Sequence, residues 1–207
     1  MIQGPVCPTR TGCGAAGANH PLPVRRPAVY VAVMSFEPFI VTAELPADVL
    51  AWADGLRRAH FPPERNHLKA HVTLFHALAP SLREELPAVL AELARTEAPP
   101  AVELTGLMNL GRGTAFALIS ADMLRIRAII AERFHGLLTA QDQNKPRLHI
   151  TIQNKVSSDA ARALQAELAP RLATRHFCFT GLGLHRYCNP HWEAVGTWPF
   201  RGARDGK

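Results

Sequence analysis

Apolar positions between residues 39 and 200 follow two rhythms, every second residue and every third or fourth, and each change of rhythm marks a new element. The first strand covers residues 39–45. Pro46 suits the first turn of a helix, and Val49, Leu50, Trp52, Ala53 and Leu56 recur at helical spacing to about His60. A strand over residues 69–76 follows. Ser81 with Glu84 fits a capping box for a second helix lined by Leu86, Val89, Leu90 and Leu93, with Pro87 placed to kink it. Residues 102–110 and 114–120 flank Gly111-Arg112-Gly113 and read as a hairpin. A third helix over 122–138 carries Met123, Ile126, Ile130, Phe134 and Leu137 on one stripe, and a strand covers 147–155. A fourth helix over 158–172 presents Ala161, Leu164 and Leu168. Two closing strands, 176–187 and 192–200, pair around Cys188-Asn189-Pro190.

The predicted order is β-α-β-α-β-β-α-β-α-β-β. No repeat of solenoid period is visible. A looser echo is present: each half has a strand–helix–strand unit and a strand containing His-x-Thr. That predicts two similar lobes facing each other.

The first motif is His71-Val72-Thr73 and the second His149-Ile150-Thr151. Residues i and i+2 of a strand share a face. Leu148, Ile150 and Ile152 therefore face inward, while Arg147, His149, Thr151, Gln153 and Lys155 share the opposite face. In the first strand Lys69, His71, Thr73 and Phe75 form the matching stripe, opposite Ala70, Val72 and Leu74. Each stripe offers a basic group, a histidine and a hydroxyl. Histidine gives or takes a proton near neutral pH. In-line displacement at phosphorus needs a base and an acid on opposite sides, and threonine hydroxyls donate to the non-bridging oxygens as charge builds there. A lone His-x-Thr arises easily by chance in an amphipathic strand; two copies in matching strands do not.

Other features change this picture little. His67, His71 and His76 do not converge on a metal: His67 and His71 have a helical spacing in a strand, and His76 falls on the face opposite His71, so no metal site is expected. The glycines of Gly111-Arg112-Gly113 are explained by a turn, with Arg112 left as a candidate phosphate contact. Lys69, Arg147, Gln153 and Lys155 are substrate-binding candidates from their shared faces, although solvated charge explains the cations equally well. Phe75 and Tyr187 are candidates for stacking on a base, against simple packing. Asp48, Asp142 and Glu193 have no spacing that suggests a carboxylate dyad.

Composition sets the outer bounds. Of 207 residues, 47% are hydrophobic and 19% charged, a globular mixture that excludes an intrinsically disordered chain. No apolar run approaches the roughly 20 residues that cross a bilayer, and Met1 to Pro27 contain no signal-peptide core, so a cytoplasmic location is expected. Cys7, Cys13, Cys178 and Cys188 form no C-x-x-C pair, which argues against a zinc ribbon or redox motif. The net charge is +6, but Arg10, Arg25 and Arg26 account for three of it before residue 34, leaving 6 − 3 = +3 for the remainder. Such a body suits an anionic substrate without requiring one. Residues 1–33, rich in Gly, Pro, Ala and Thr, read as a disordered leader, with Met34 the expected physiological start, 34–202 a two-lobed domain and 203–207 a tail.

Across residues 38–201 the sequence resembles the two-histidine phosphoesterases, the 2′-5′ RNA ligase or cyclic phosphodiesterase family. The resemblance rests on His71-Val72-Thr73-Leu74 and His149-Ile150-Thr151-Ile152, their separation and the element order. The closing Trp192-Glu193 and Trp198-Pro199-Phe200-Arg201 also resemble the final strand of bacterial members. Leu148 stands where many relatives have a proline before the second histidine. The resemblance implies an α+β fold of two lobes about a pseudo-twofold axis, with antiparallel sheets lining a central cleft and helices outside. It implies metal-independent hydrolysis of 2′,3′-cyclic phosphates, with RNA ligation or 2′-5′ cleavage in relatives. It casts His71 and His149 as proton-transfer residues and Thr73 and Thr151 as phosphate-binding ones. The expected partner is RNA or a nucleotide with a terminal or cyclic phosphate, with no cofactor and no obligatory protein partner. A catalytically silent RNA- or nucleotide-binding module and an RNA end-joining enzyme are the alternatives.

Overall fold

The structure, a computed structural model, describes residues 37–203. The expectations for residues 1–33, and all but Ala203 of the tail, lie outside the described residues.

Strand β1 (Phe39–Glu44) is buried along almost its whole length, which is why its sequence is nearly continuous in apolar residues. It lies between β2 (Val72–Leu78) and β7 (Gly181–Cys188), and β8 (His191–Pro199) completes a sheet of order β2-β1-β7-β8. The second sheet has the order β5-β4-β3-β6, from β3 (Ala101–Asn109), β4 (Thr114–Ile119), β5 (His149–Gln153) and β6 (Arg175–Cys178). Every pairing is antiparallel. Helix α1 (Ala47–His60) joins β1 to β2, and α3 (Ala121–Arg133) lies between β4 and β5. In both sheets the strand after the helix is outermost and neighbours the strand before it, so β1-α1-β2 and β4-α3-β5 are topological equivalents. The two-lobed α+β expectation is borne out.

Helices α2 (Glu85–Thr96) and α5 (Ser158–Leu168) stay with their own lobes, on β7–β8 and β3–β4 respectively. Helix α3 also contacts β3 of its own lobe, whereas two helices cross over. Helix α1 packs against β5, and the short α4 (Ala140–Gln143) packs against β2. Buried apolar residues of both lobes consequently form one contiguous core, from Val41, Val72 and Leu184 through Phe116, Ile130 and Ile150.

Helix starts follow their capping chemistry. Ser120 Oγ accepts from Met123 N at 3.3 Å to open α3, and Ser157 Oγ accepts from Ala160 N at 3.1 Å to open α5. The predicted Ser81–Glu84 capping box does not form, because Pro80–Leu82 is a 3-10 turn and α2 starts only at Glu85. Pro87 then falls in the first turn, where its missing N–H breaks no intrahelical bond. The third helix ends at Arg133 rather than 138, followed by a 3-10 turn over His135–Leu137. The expected single strand over 176–187 is two strands in two sheets. At Phe179 and Thr180 the chain changes sheet, with Phe179 N bonded to Pro100 O at 3.0 Å and Thr180 N to Glu44 O at 2.9 Å.

Candidate active site

Strands β2 and β5 are the edges at which the two sheets approach each other; β5 carries the second His-x-Thr motif, and the first runs from His71, just ahead of β2, into that strand. The two motifs have the same local geometry. His71 Nδ1 lies 2.7 Å from Lys69 O, and His149 Nδ1 lies 2.8 Å from Arg147 O. A carbonyl only accepts, so Nδ1 of each ring bears the proton and Nε2 is left to act. A neutral ring then offers a lone pair at Nε2, and a cationic ring offers a proton there.

Both motif strands also bulge immediately after the threonine. Between the pairs Thr42↔Thr73 and Val41↔Phe75, β2 has one residue more than β1; between Ala115↔Thr151 and Thr114↔Gln153, β5 has one more than β4. Each bulge resets the alternation. Phe75 is therefore fully buried and Gln153 is 6% exposed, and neither joins the polar stripe. Gln153 Oε1 instead accepts from Thr114 Oγ1 at 3.4 Å. The close approach at this bulge requires Gly113: a Cβ there would lie 2.3 Å from Gln153 O.

Two cavities adjoin the motifs. One, of about 450 Å³, is lined by His71 and Lys69 together with Thr42, Glu44, His185 and Trp192. The other, of about 260 Å³, brings Thr73 of the first motif together with His149, Lys145 and Arg147 of the second. The remaining candidates are elsewhere. Arg112 is exposed at the β3–β4 turn, and its Nε donates to Val156 O at 3.0 Å. Lys155 lies beyond the end of β5 with φ 62°, exposed, its N–H bonded to the Asn154 side chain. Tyr187 is tied through its hydroxyl to Asn189 Oδ1 at 3.0 Å in the β7–β8 turn. These three line neither cavity, and nor does Thr151, half-buried on β5. Among the described residues no three His, Cys, Asp or Glu side chains converge as a metal site, and no helix is long and apolar enough to cross a membrane.

Residues the sequence reading did not single out complete the first cavity. The Trp192 ring is 4.7 Å from the His71 ring and 5.5 Å from that of His185. Thr42 Oγ1 donates to Glu44 Oε1 at 2.8 Å and lies 3.1 Å from His185 Nε2, which is consequently the protonated nitrogen of that ring. A polar Thr-x-Glu within the apolar β1 was the available sequence signal. His185, on the neighbouring strand β7 in register with Ile40, had none.

Burial pushes the His71 imidazole down to about 4; the charges of Arg57, His185 and His149 act in the same direction, against the Lys69 carbonyl, which favours the cation. Burial also lowers His185, against the attraction of Glu44. The His71 shift has a stability signature. Below the ordinary histidine value of roughly 6.5 the unfolded chain takes up a proton that the folded one refuses until about 4, so folding weakens as pH falls through that window. Urea unfolding at pH 7 and pH 5 checks it: wild type loses roughly 2 kcal/mol more than His71→Asn between the two. Equal losses would count against the buried, neutral His71.

Two topologically equivalent lobes, each with a His-x-Thr segment at the edge strand that approaches the other sheet, have the architecture of a two-histidine phosphoesterase domain. The chain belongs to the 2′-5′ RNA ligase superfamily, whose model matches residues 45–190. The family comprises phosphoesterase- and ligase-like enzymes. Solved structures with the same fold include TT0787 of Thermus thermophilus, at 19% identity and TM-score 0.53, covering 81% of this chain and 100% of that one. E. coli LigT complexed with NADP+ matches at 14% identity and TM-score 0.53, covering 80% of this chain and 98% of that one. The same protein complexed with 3′-AMP matches at 11% and 0.52, with the same coverage. No curated protein sequence gives a significant match.

Proposed function

We propose that the protein is a metal-independent phosphodiesterase that opens 2′,3′-cyclic phosphates or cleaves 2′-5′-linked nucleotide or RNA ends, with His71 and His149 as base and acid. The observation that carries this reading is the matched geometry of the two rings, each held through Nδ1 with Nε2 left to act. His71, held neutral by its surroundings, takes a proton from water at Nε2 as the water oxygen bonds to phosphorus. The bond from phosphorus to one ribose oxygen breaks, and His149 Nε2 gives that oxygen its proton. Thr73 and Thr151 donate to the non-bridging oxygens, and Lys69 and Arg147, each lining one of the two cavities, attract the anion. Exchange with solvent restores both histidines.

The substrate class follows from the room beside His71. A cavity of about 450 Å³ walled by Trp192 fits a nucleoside next to the phosphate. LigT, of the same fold, has been solved with 3′-AMP and with NADP+, which supports a nucleotide ligand here. Trp192→Ala is expected to raise KM for a 2′,3′-cyclic nucleotide by about tenfold, the loss of one stacking contact. Unchanged KM would place the nucleoside elsewhere.

The test of the function is hydrolysis of 2′,3′-cyclic mononucleotides in excess chelator across pH 3–9, a range that includes the His71 value of about 4. Turnover that survives chelator with a bell-shaped profile supports the reading. A flat profile, or activity abolished by chelator and restored by a metal, would overturn it. Joining of RNA ends uses the same groups, with a ribose hydroxyl replacing water as nucleophile. Product analysis with oligonucleotide ends separates it from hydrolysis.

A further inference from the structure

Strands β2 and β5 are edges of different sheets, with no backbone ladder between them. The separation of His71 from His149 is therefore not fixed by sheet pairing. One buried arginine joins the two motif segments directly, and a second ties β2 to the helices of the other unit. Arg57, on α1, is 4% exposed; its Nη1 donates to Thr151 O of β5 at 2.9 Å, and its Nε donates to Leu68 O at 2.9 Å and Asn66 Oδ1 at 2.7 Å, just ahead of β2. Arg127, on α3, is 7% exposed; its Nε donates to Leu74 O of β2 at 3.1 Å and its Nη2 to Asp142 O at 2.5 Å. Each guanidinium also lies over a phenylalanine ring, Arg57 at 4.0 Å from Phe61 and Arg127 at 4.6 Å from Phe75.

The arrangement is reciprocal. Helices α1 and α3 are equivalent in the two strand–helix–strand units, and each sends an arginine to the motif strand of the other unit. The acceptors are also near-equivalent: Thr151 is the threonine of its motif, and Leu74 directly follows Thr73. Burial lowers both arginines, with Asp54 opposing the effect at Arg57 and Asp142 at Arg127. Those two carboxylates hold β2 on either side of its motif. Asp54 Oδ1 accepts from Ala70 N at 3.0 Å, and Asp142 accepts from His76 N and Ala77 N. A guanidinium is a rigid planar fork, so it fixes the distance and angle between the carbonyls it joins; an ammonium does not.

We propose that Arg57 and Arg127 are paired positioning residues that set the separation of His71 and His149 by each gripping the opposite lobe's motif strand. The inference rests on the acid–base reading of the two histidines. In-line displacement tolerates little error, since about 1 Å of misplacement costs on the order of 10²-fold in rate.

The experiment compares Arg57→Gln and Arg127→Gln with the corresponding lysine variants and with Leu164→Ala, a core truncation that lowers stability on α5, the helix packed on β3 and β4. For a 2′,3′-cyclic nucleotide, each glutamine variant is expected to lose about 10²-fold in kcat with KM within about threefold, and each lysine variant to recover less than a tenth of the loss. Leu164→Ala keeps kcat. A second readout does not need turnover: inorganic phosphate titrated against the histidine ring NMR signals. In wild type, one binding event moves both His71 and His149; in the arginine variants the affinity falls about tenfold and the two responses separate. Folded variants with kcat and phosphate affinity within threefold of wild type would overturn the proposal, the lysine forms deciding where glutamine prevents folding. So would an equal loss of kcat in Leu164→Ala. A wild type that binds phosphate yet opens no cyclic phosphate would sink the proposed activity, while the phosphate titration still decides the arginines.

Discussion

His71→Ala and His149→Ala are each expected to cut hydrolysis of a 2′,3′-cyclic nucleotide by about 10³-fold or more, and the double variant to fall little further. One positioned proton transfer contributes about 10²–10⁴-fold, and the two here act in one displacement. Removing either leaves attack without a base or departure without an acid, so the losses do not multiply. The equivalent Nδ1 tethers to Lys69 O and Arg147 O argue that neither ring is the spare one. Steady-state rates decide this, with near-UV circular dichroism confirming the fold. A variant within tenfold of wild type would remove that histidine from the mechanism.

The second large effect is on stability. Asp142→Ala is expected to destabilise the fold by about 3 kcal/mol, because it strands two backbone donors and a hydroxyl at once. The Asp142 side chain is 1% exposed and accepts from His76 N, Ala77 N and Thr139 Oγ1, with His76 Nδ1 at 3.1 Å. Asp142→Asn keeps one acceptor oxygen and is expected to lose less. Burial opposes ionisation of Asp142, but hydrogen bonds from the His76 side chain and the two backbone N–H groups prevail and hold the carboxyl below its ordinary value. Its contribution is therefore present above pH about 4 and is lost as pH falls below that. Chemical denaturation at pH 7 and pH 3 follows both effects: the gap between wild type and Asp142→Ala should narrow in acid. A gap that does not narrow would remove the charged carboxylate as its source.

Most elements, and the two His-x-Thr segments, were legible because they are local. The helical spacing of Val49, Ala53 and Leu56 and the His-x-Thr alternation are properties of one segment. What failed depended on partners. Strict alternation put Phe75 and Gln153 beside the histidines, but the register imposed by β1 and β4 inserts a residue before each and turns both inward. The run 176–187 is continuous in β-propensity, so nothing within it marks the change of sheet at Phe179. Arg57 and Arg127 sit on amphipathic helices, where a cation ordinarily reads as solvated; in each case the opposite lobe supplies a carbonyl that pairs with it. Asp142 was dismissed for lacking a carboxylate partner, although its role is to accept from backbone.

The two sheets draw on very different stretches of chain. The second is complete within residues 101–178, while β1 and β2 wait for β7 and β8, so β1 has only one sheet neighbour until residues 181–188 are available. During synthesis from the N-terminus, the middle of the chain can close its own sheet first, and the lobe whose strands come first in sequence is completed last. Long-range pairings of this kind slow folding. The cleft, which needs both lobes, is then among the last features to form, and the first histidine motif is made long before its surroundings exist.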